Sequence, residues 1–423
     1  MRSGPVSKLW VLMFTAFVDM VGALMIIPLL PFYAEHLGAN GFELTVIVAS
    51  FSAAQLLSAP LWGRVSDKYG RRPALLVGLV ASVISYVIFA YADSIWLLLL
   101  SRLVQGAGGG TTGVIQAYVA DSVEPRHRAR GLGWLSAATN LGVMLGPVIG
   151  SVTTLLGTHA PGLIAAGLGT LNVLFVWFFL TESYGIAARA KARVKRSVRS
   201  AVLRVVRYPR ETPSRIITIY ALAIGAFYGI GSLLTLFLSD RFHVTEQTIG
   251  FFFVYMGGLN VLFRTVLLGK VVDRFGEART SRLGETVLAL GLLLIAFTHP
   301  VALPGPLSLL ELGLVTALIP LGTTLTFPSV TAMLSQVVAD DERGLYLGLQ
   351  QTYGGISRVV YPPLAGLAWD HLGVQFPFVM SAVLVAGTLL IGRGLKGYAA
   401  PDAAEVERVA EKEVGKEGVA VGE

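Results

Sequence analysis

Apolar residues along the chain are grouped into blocks of about 20, separated by short stretches in which Gly, Pro, Asp, Lys and Arg collect. Twelve such blocks lie near residues 8–33, 43–62, 73–92, 95–120, 129–156, 161–181, 214–238, 247–268, 280–298, 307–334, 344–369 and 373–395. Each is about as long as a helix must be to cross a hydrocarbon core of about 30 Å, and far longer than a core strand. The pattern predicts twelve spanning helices. Connections after even-numbered blocks then share a side with both termini. Of the 33 Lys and Arg residues, 29 fall on that side. Three lie deep within blocks (Arg102, Arg264 and Arg358), which leaves Arg241 alone for the opposite face. Cationic loops resist translocation, so both termini are expected in the cytoplasm.

Composition strengthens this picture. With 54% hydrophobic and 14% charged residues and a mean hydropathy of +0.68, the chain has more apolar surface than one soluble core could bury. The first block follows Lys8 and could imitate a signal peptide. However, it carries Asp19 midway and runs to Pro31 without a small-residue cleavage site, so it reads as a retained span. The absence of cysteine excludes disulfides, thiolate metal sites and cysteine nucleophiles. The net charge of +7 is concentrated on one face, where it reports topology and contact with anionic lipid headgroups rather than with nucleic acid. The six histidines have no ligand spacing, no GxxxxGKS phosphate loop is present, and no residue constellation suggests an enzyme.

The stretch from Arg189 to Arg215 carries ten Lys or Arg in 27 residues and separates six blocks from six. The chain therefore divides into a six-helix bundle (1–185), a basic linker (186–212) expected to be partly helical at the membrane surface, a second six-helix bundle (213–398) and a charged tail (399–423). An internal repeat supports the division. GRVSDKYG at Gly63 returns as GKVVDRFG at Gly269, with four identities, each time between the second and third blocks of its half. ADSVEPRHRARGLG at Ala120 is echoed by ADDERGLYLG at Ala339, each time after the fourth block. Paired halves with matching loops are the layout of a secondary transporter whose site lies near the midplane.

These motifs resemble the major facilitator superfamily, and within it the twelve-span drug:proton antiporters that include the tetracycline exporters. The resemblance implies an all-α membrane protein of the major facilitator fold, with twelve transmembrane helices in two pseudo-symmetric six-helix bundles. The loop signature GxxxDxxGRR is matched by Gly63, Asp67, Gly70, Arg71 and Arg72. Physically, Gly63 allows close packing of helix ends and Gly70 a tight turn, while Asp67 can face the positive end of a helix and an arginine can bridge to another carboxylate. By resemblance, Asp67, Arg71 and Asp121 form a cytoplasmic latch against the eleventh span. The plainer alternative is a capped loop with topogenic charge. Gly269, Asp273 and Gly276 are the second-half counterparts of this signature.

Arg102 and Gly106 match the RxxxG motif of the fourth span, and an arginine at membrane depth requires a partner or water. Either it is structural, or, as the resemblance implies, it takes part in proton coupling. Gly142, Gly146, Pro147 and Gly150 resemble the antiporter motif GxxxGPxxG, whose small residues at four-residue spacing permit close helix packing. Within the superfamily that motif is associated with exporters. Asp19, about 16 Å beyond Lys8 along a helix, falls near the midplane, where burial penalises the charged carboxylate. It is thus a candidate proton carrier, unless it is tied permanently to Arg102.

The second half departs from the tetracycline exporters, which have an acid within the ninth span. Here only Glu285 is present, near the start of that block, and a salt bridge to Arg264 is expected. Arg358 either pairs across a cavity, for example with Asp19, or awaits an anionic group. Phe17, Gln105, Tyr228, Tyr255, Asn260, Tyr353 and Arg358 are candidate substrate contacts. The expected function is proton-coupled efflux of small amphipathic or drug-like molecules, with carriage of an organic anion or lipid-like metabolite as the alternative. The proton is the coupling ion and no other cofactor is expected. The expected partners are a small-molecule substrate and the lipid bilayer, with no nucleic acid, and the chain is expected to act as a monomer in a bacterial-type inner membrane.

Overall fold

The computed structural model describes residues 5–124, 127–182, 198–298, 306–339 and 342–395. Arg126, the linker from 186 to 197, Asp340 and Asp341 of the second echo, and the charged tail lie outside the described residues. Among those described there are helices and turns, and no strand.

The first half is built from α1 (Pro5–Ile26), α2 (Leu30–His36), α3 (Gly41–Tyr69), α4 (Arg71–Ala90), α5 (Ile95–Gly108), α6 (Thr111–Ser122), α7 (Arg128–Thr153) and α8 (Ala160–Phe179). A linker helix, α9 (Val198–Arg207), follows. The second half comprises α10 (Thr212–Phe242), α11 (Glu246–Leu262), α12 (Leu268–Phe275), α13 (Glu277–Ile295), α14 (Pro306–Val337), α15 (Arg343–Leu372) and α16 (Phe376–Ile391). Each apolar block of the sequence coincides with one of these helices or with two in tandem. Eight helical stretches are long and apolar enough to cross a membrane, and Phe376–Ile391 is a shorter apolar helix. The remaining blocks fall short for local reasons. α5 and α6 are split by glycines, and α13 and α15 carry charges along their length.

The interruptions have identifiable causes. Pro28 follows the end of α1, and Pro31 falls in the first turn of α2, where a missing N–H leaves no bond unmade. In the eighth block, α11 passes through a π-turn (Phe263–Leu267) before α12. Arg264 lies on this π-turn and is exposed, whereas Glu285 is buried on α13. The salt bridge expected between them is therefore not formed. Glu285 instead accepts hydrogen bonds from Ser281 (2.6 Å) and from Thr388 of α16 (2.9 Å), which ties α13 to α16.

Within the first half, α7 lies along α1 through the glycine stripe. A Cβ at Gly142 would meet Met20 Cβ at 2.8 Å, one at Gly146 would meet Leu24 Cβ at 2.8 Å, and one at Gly150 would strike the backbone of Met25. Each half has two buried apolar clusters, and one second-half cluster also takes in Leu29 and Phe32 from the first half.

The halves meet along α3–α15, α7–α11 and α2–α10. These seams gather at the end of the molecule remote from the Gly63–Arg72 loop. There Gly250 donates its N–H to Ser151 (2.9 Å) and packs on the Pro147 carbonyl. His36 at the end of α2 approaches Glu246 at the start of α11 (3.5 Å). At the opposite end a Cβ at Gly63, Gly113, Gly344 or Gly348 would touch nothing. Gly63, expected to allow close helix packing, is in this conformation at an open mouth. The linker helix α9 docks on the second half, where Val205 is buried and the Val202 carbonyl accepts from Tyr353 (2.9 Å).

Candidate functional site

A cavity of about 470 Å³ lies between the halves and opens toward the Gly63–Arg72 loop. Leu56 and Gln55 of α3 and Thr112 of α6 form its first-half wall, while Gln351 and Arg358 of α15 face them from the second half. Asp67 and Arg71 stand at its mouth.

The wall is positioned by the break between α5 and α6. Glycines at 106, 108, 109 and 110 weaken the helix, and three of them also sit where helices cross. A Cβ at Gly108 would meet Ala81 Cβ at 2.6 Å, one at Gly110 would meet Trp62 Cβ at 2.6 Å, and one at Gly106 would strike the Phe51 carbonyl. Carbonyls exposed by such a break at membrane depth need donors. One face of α3 supplies them. Gln55 donates to Gly109 O (3.1 Å), Ser58 to Gly106 O (3.1 Å) and Trp62 to Ala107 O.

The second piece, α6, begins at Thr111, whose hydroxyl donates to Asp19 Oδ2 at 3.2 Å. The half-buried carboxylate of α1 is thus placed at the N-terminal turn of a half-helix, the positive end of its dipole. Asp19 makes no ion pair with Arg102. Arg102 is 2% exposed, with its guanidinium over the Phe89 ring at 5.8 Å, Nε near Ser101 Oγ at 3.4 Å, and Nη2 without a hydrogen-bond partner. Tyr86 receives a hydrogen bond from Gln105 (3.4 Å) and packs over Gly22, one turn beyond Asp19. Permanent pairing of Asp19 with Arg102 is therefore not what the structure shows.

Arg358 forms no ion pair either, with Asp19 or with any other described carboxylate. It donates to Gly354 O (3.3 Å), and its guanidinium lies 5.4 Å from the Tyr228 ring centroid. Gln351 donates to Tyr220 Oη at 3.3 Å. Of the candidate substrate contacts, Arg358 lines the cavity directly and Tyr228 stacks beneath it. The others serve elsewhere. Gln105 is engaged with Tyr86, Tyr255 donates to Gly313 O (2.7 Å) to join α11 to α14, and Tyr353 holds the linker helix. Phe17 is half-buried with its carbonyl against Gly142, and Asn260 is half-buried just before the π-turn.

At the mouth, Gly70 has φ +111° and joins α3 to α4, and a Cβ there would also meet Glu182 Oε2. Arg71 Nη1 pairs with Asp67 (2.8 Å) and Nε with Asp121 (3.0 Å). This bridge closes within the first half. Asp67 and Arg71 are divided by the cavity from α15, so the expected contact with the eleventh span is not made by them here. Arg72 donates to the Trp177 carbonyl and stacks on that indole (5.5 Å). In the second-half echo, Gly276 has φ +74° and makes the turn from α12 to α13, while Asp273 is exposed.

Two carboxylates escaped the sequence reading. Glu182, just past α8, accepts the backbone N–H of Arg71 (2.9 Å) and of Arg72 (3.1 Å), capping α4. Asp370 of α15 does the same for α3 across the two halves. An isolated acid beside a helix end was the available signal, but spacing along the chain does not say which helix start it serves.

Apolar helices of membrane length and a cavity between two halves are the architecture of a multi-pass membrane transporter. The chain belongs to the Major Facilitator Superfamily, which it matches over residues 12–319 and 266–418. It is 30% identical over 386 residues to the class C tetracycline resistance protein of Escherichia coli, covering 86% of this chain and 93% of that one. It is 28% identical over 388 residues to multidrug resistance protein 2 of Bacillus subtilis, covering 91% and 93%. The crystal structure of the human organic anion transporter MFSD10 shares the fold at a TM-score of 0.66 and 22% identity, covering 93% of this chain and all of that one.

Glu182→Ala should destabilise the start of α4 by about 0.5–2 kcal/mol, the usual cost of a lost cap. The check is amide hydrogen exchange, which should quicken at Arg71 and Arg72 while the centre of α4 is unchanged.

Proposed function

We propose that the chain is a proton-coupled exporter of small amphipathic or drug-like molecules, working by alternating access in a bacterial-type inner membrane with both termini in the cytoplasm. The observation that carries this reading is Asp19. It is a carboxylate at mid-depth, held by one hydroxyl and the first turn of α6 and free of any ion pair, so it can exchange a proton without breaking a salt bridge. Arg102 is buried without a counterion on α5, the helix whose Gln105 donates to Tyr86, and in this reading it modulates that exchange. The mixed lining of Gln55, Leu56, Thr112 and Gln351 suits an amphipathic cargo. Relatives named for tetracycline and multidrug resistance support export.

In the other half of the cycle the mouth closes. Gly63, Gly113, Gly344 and Gly348, which touch nothing here, then provide the clearance for helix ends to meet. The Asp67–Arg71–Asp121 bridge forms the first-half side of the latch. The Gly142–Gly150 stripe keeps α7 on α1 throughout, so that closure moves halves rather than single helices. Coupling requires the protonated and deprotonated forms of Asp19 to favour different states.

A second reading is favoured by Arg358, a cation on the cavity wall with no carboxylate partner among the described residues. It fits a cargo bearing an anionic group.

In proteoliposomes under an imposed pH gradient, the native chain should export an amphipathic dye, and Asp19→Asn should reduce export to the level of protein-free liposomes. Undiminished proton-driven export by the variant would refute the role of Asp19. Arg358→Gln should weaken binding of an anionic amphiphile about tenfold or more, about 1.4 kcal/mol, while sparing neutral and cationic analogues. Equal loss for all three, measured by fluorescence titration, would mark a structural arginine.

A further inference from the structure

Asp370 is the one acid in α15 and lies in its last turn, two residues before that helix ends. A negative charge there is disfavoured by the dipole of its own helix. Its partner is on the other half. Oδ1 accepts the N–H of Gly41 at 2.8 Å and Oδ2 accepts that of Phe42 at 2.8 Å.

The accounting at the start of α3 is complete only with this residue. Asn40 already caps the helix from within the half, its side chain accepting from Glu43 N (2.8 Å) while Glu43 accepts from Asn40 N (2.9 Å). That capping box satisfies the third N–H of the helix and leaves the first two, at Gly41 and Phe42, without a local acceptor. The seam is shaped for the approach. A Cβ at Gly41 would meet Asp370 Oδ1 at 2.7 Å and Trp369 Cδ1 at 2.7 Å, and one at Gly366 would strike Thr45 and the Gly41 carbonyl. Thr45, one turn into α3, is fully buried by this packing. The carboxylate itself stays at an exposed rim, so both sides can be rehydrated when they part.

We propose that Asp370 is a positioning residue of the transport cycle: its carboxylate, by capping α3 across the two halves, holds shut the face opposite the Gly63–Arg72 loop. The proposal builds on alternating access as read above, but not on the identity of the cargo or the coupling ion. A helix start offers this bond only while the face is closed. On opening, Gly41 and Phe42 turn to water, Asp370 loses two charge-assisted bonds, and Asn40 keeps the helix itself intact. The device therefore weights one state without being needed for the fold of either half.

The test uses the full chain in liposomes, with Thr45→Cys as the sole cysteine and a membrane-impermeant maleimide applied from the closed side. Asp370→Ala should raise the labelling rate about tenfold or more, the equivalent of about 1.4 kcal/mol in the opening equilibrium. Asp370→Asn, which keeps oxygen for one bond but no charge, should fall between, and serves if the alanine variant does not fold. Amide exchange at Leu44 and beyond should be unchanged in both. Unchanged labelling in both variants would overturn the proposal, as would a rise in labelling accompanied by fast exchange throughout α3, the mark of a merely structural cap. If position 45 in the otherwise native chain is never labelled at any pH or gradient, alternating access itself fails. If it is labelled but does not respond to Asp370, only the gate is wrong.

Discussion

A helix inside a membrane cannot be interrupted unless something replaces the backbone hydrogen bonds lost at the interruption, since lipid offers no donors or acceptors. The architecture follows from where this chain breaks its helices and what it supplies in exchange. Between α5 and α6 the carbonyls are met by Gln55, Ser58 and Trp62, three residues on one face of α3. The N–H groups at the start of α4 are met by Glu182 and those at the start of α3 by Asp370, while Asp19 meets the start of α6 through the Thr111 hydroxyl. The groups that satisfy helix ends are thus also the ionisable groups best placed to act. A carboxylate at a helix start is stabilised without a fixed cation, which leaves it able to titrate or to let go.

The same constraint separates rigid contacts from switching ones. Glu182 and the Arg71 bridge join elements of one half, and the Gly142–Gly150 stripe binds α7 to α1 with no room for a methyl group between them. Contacts between halves combine apolar and close backbone packing, at Leu29, Phe32, Gly250 and Gly366, with polar bonds. Asp370 to α3, Ser151 to Gly250 and His36 to Glu246 are polar, and those of Asp370 and His36 sit at an exposed rim, where water can replace each partner at modest cost. Close-packed halves whose seam includes replaceable polar contacts can rock as bodies.

Much of this was legible in the sequence. Block length gave the helices and their order, because the lipid core fixes how long each apolar run must be. The turn at Gly70 was readable because a motif with a glycine before two arginines demands a sharp reversal. What escaped depended on rotation about helix axes and on contacts distant along the chain. Arg264 and Glu285 match in depth, but a π-turn leaves one exposed while the other faces α16. Tyr353 and Gln105 lie on the right helices for a substrate site, yet they spend their polar groups on α9 and Tyr86. Asp370 is 329 residues from Gly41, and no local pattern links them.

The central claim is that the protonation state of Asp19 decides which face of the cavity is open. The absence of cysteine makes a direct measurement possible, because any introduced pair is unique. Spin labels at Arg64→Cys and Gly344→Cys report the mouth, and labels at Glu35→Cys and Leu372→Cys report the opposite face. Distances measured by double electron–electron resonance across a pH titration should change in opposite senses for the two pairs in the native background, and should not respond to pH in Asp19→Asn. Pairs that move together, or an Asp19→Asn chain that follows pH as the native one does, would contradict a proton-gated alternation.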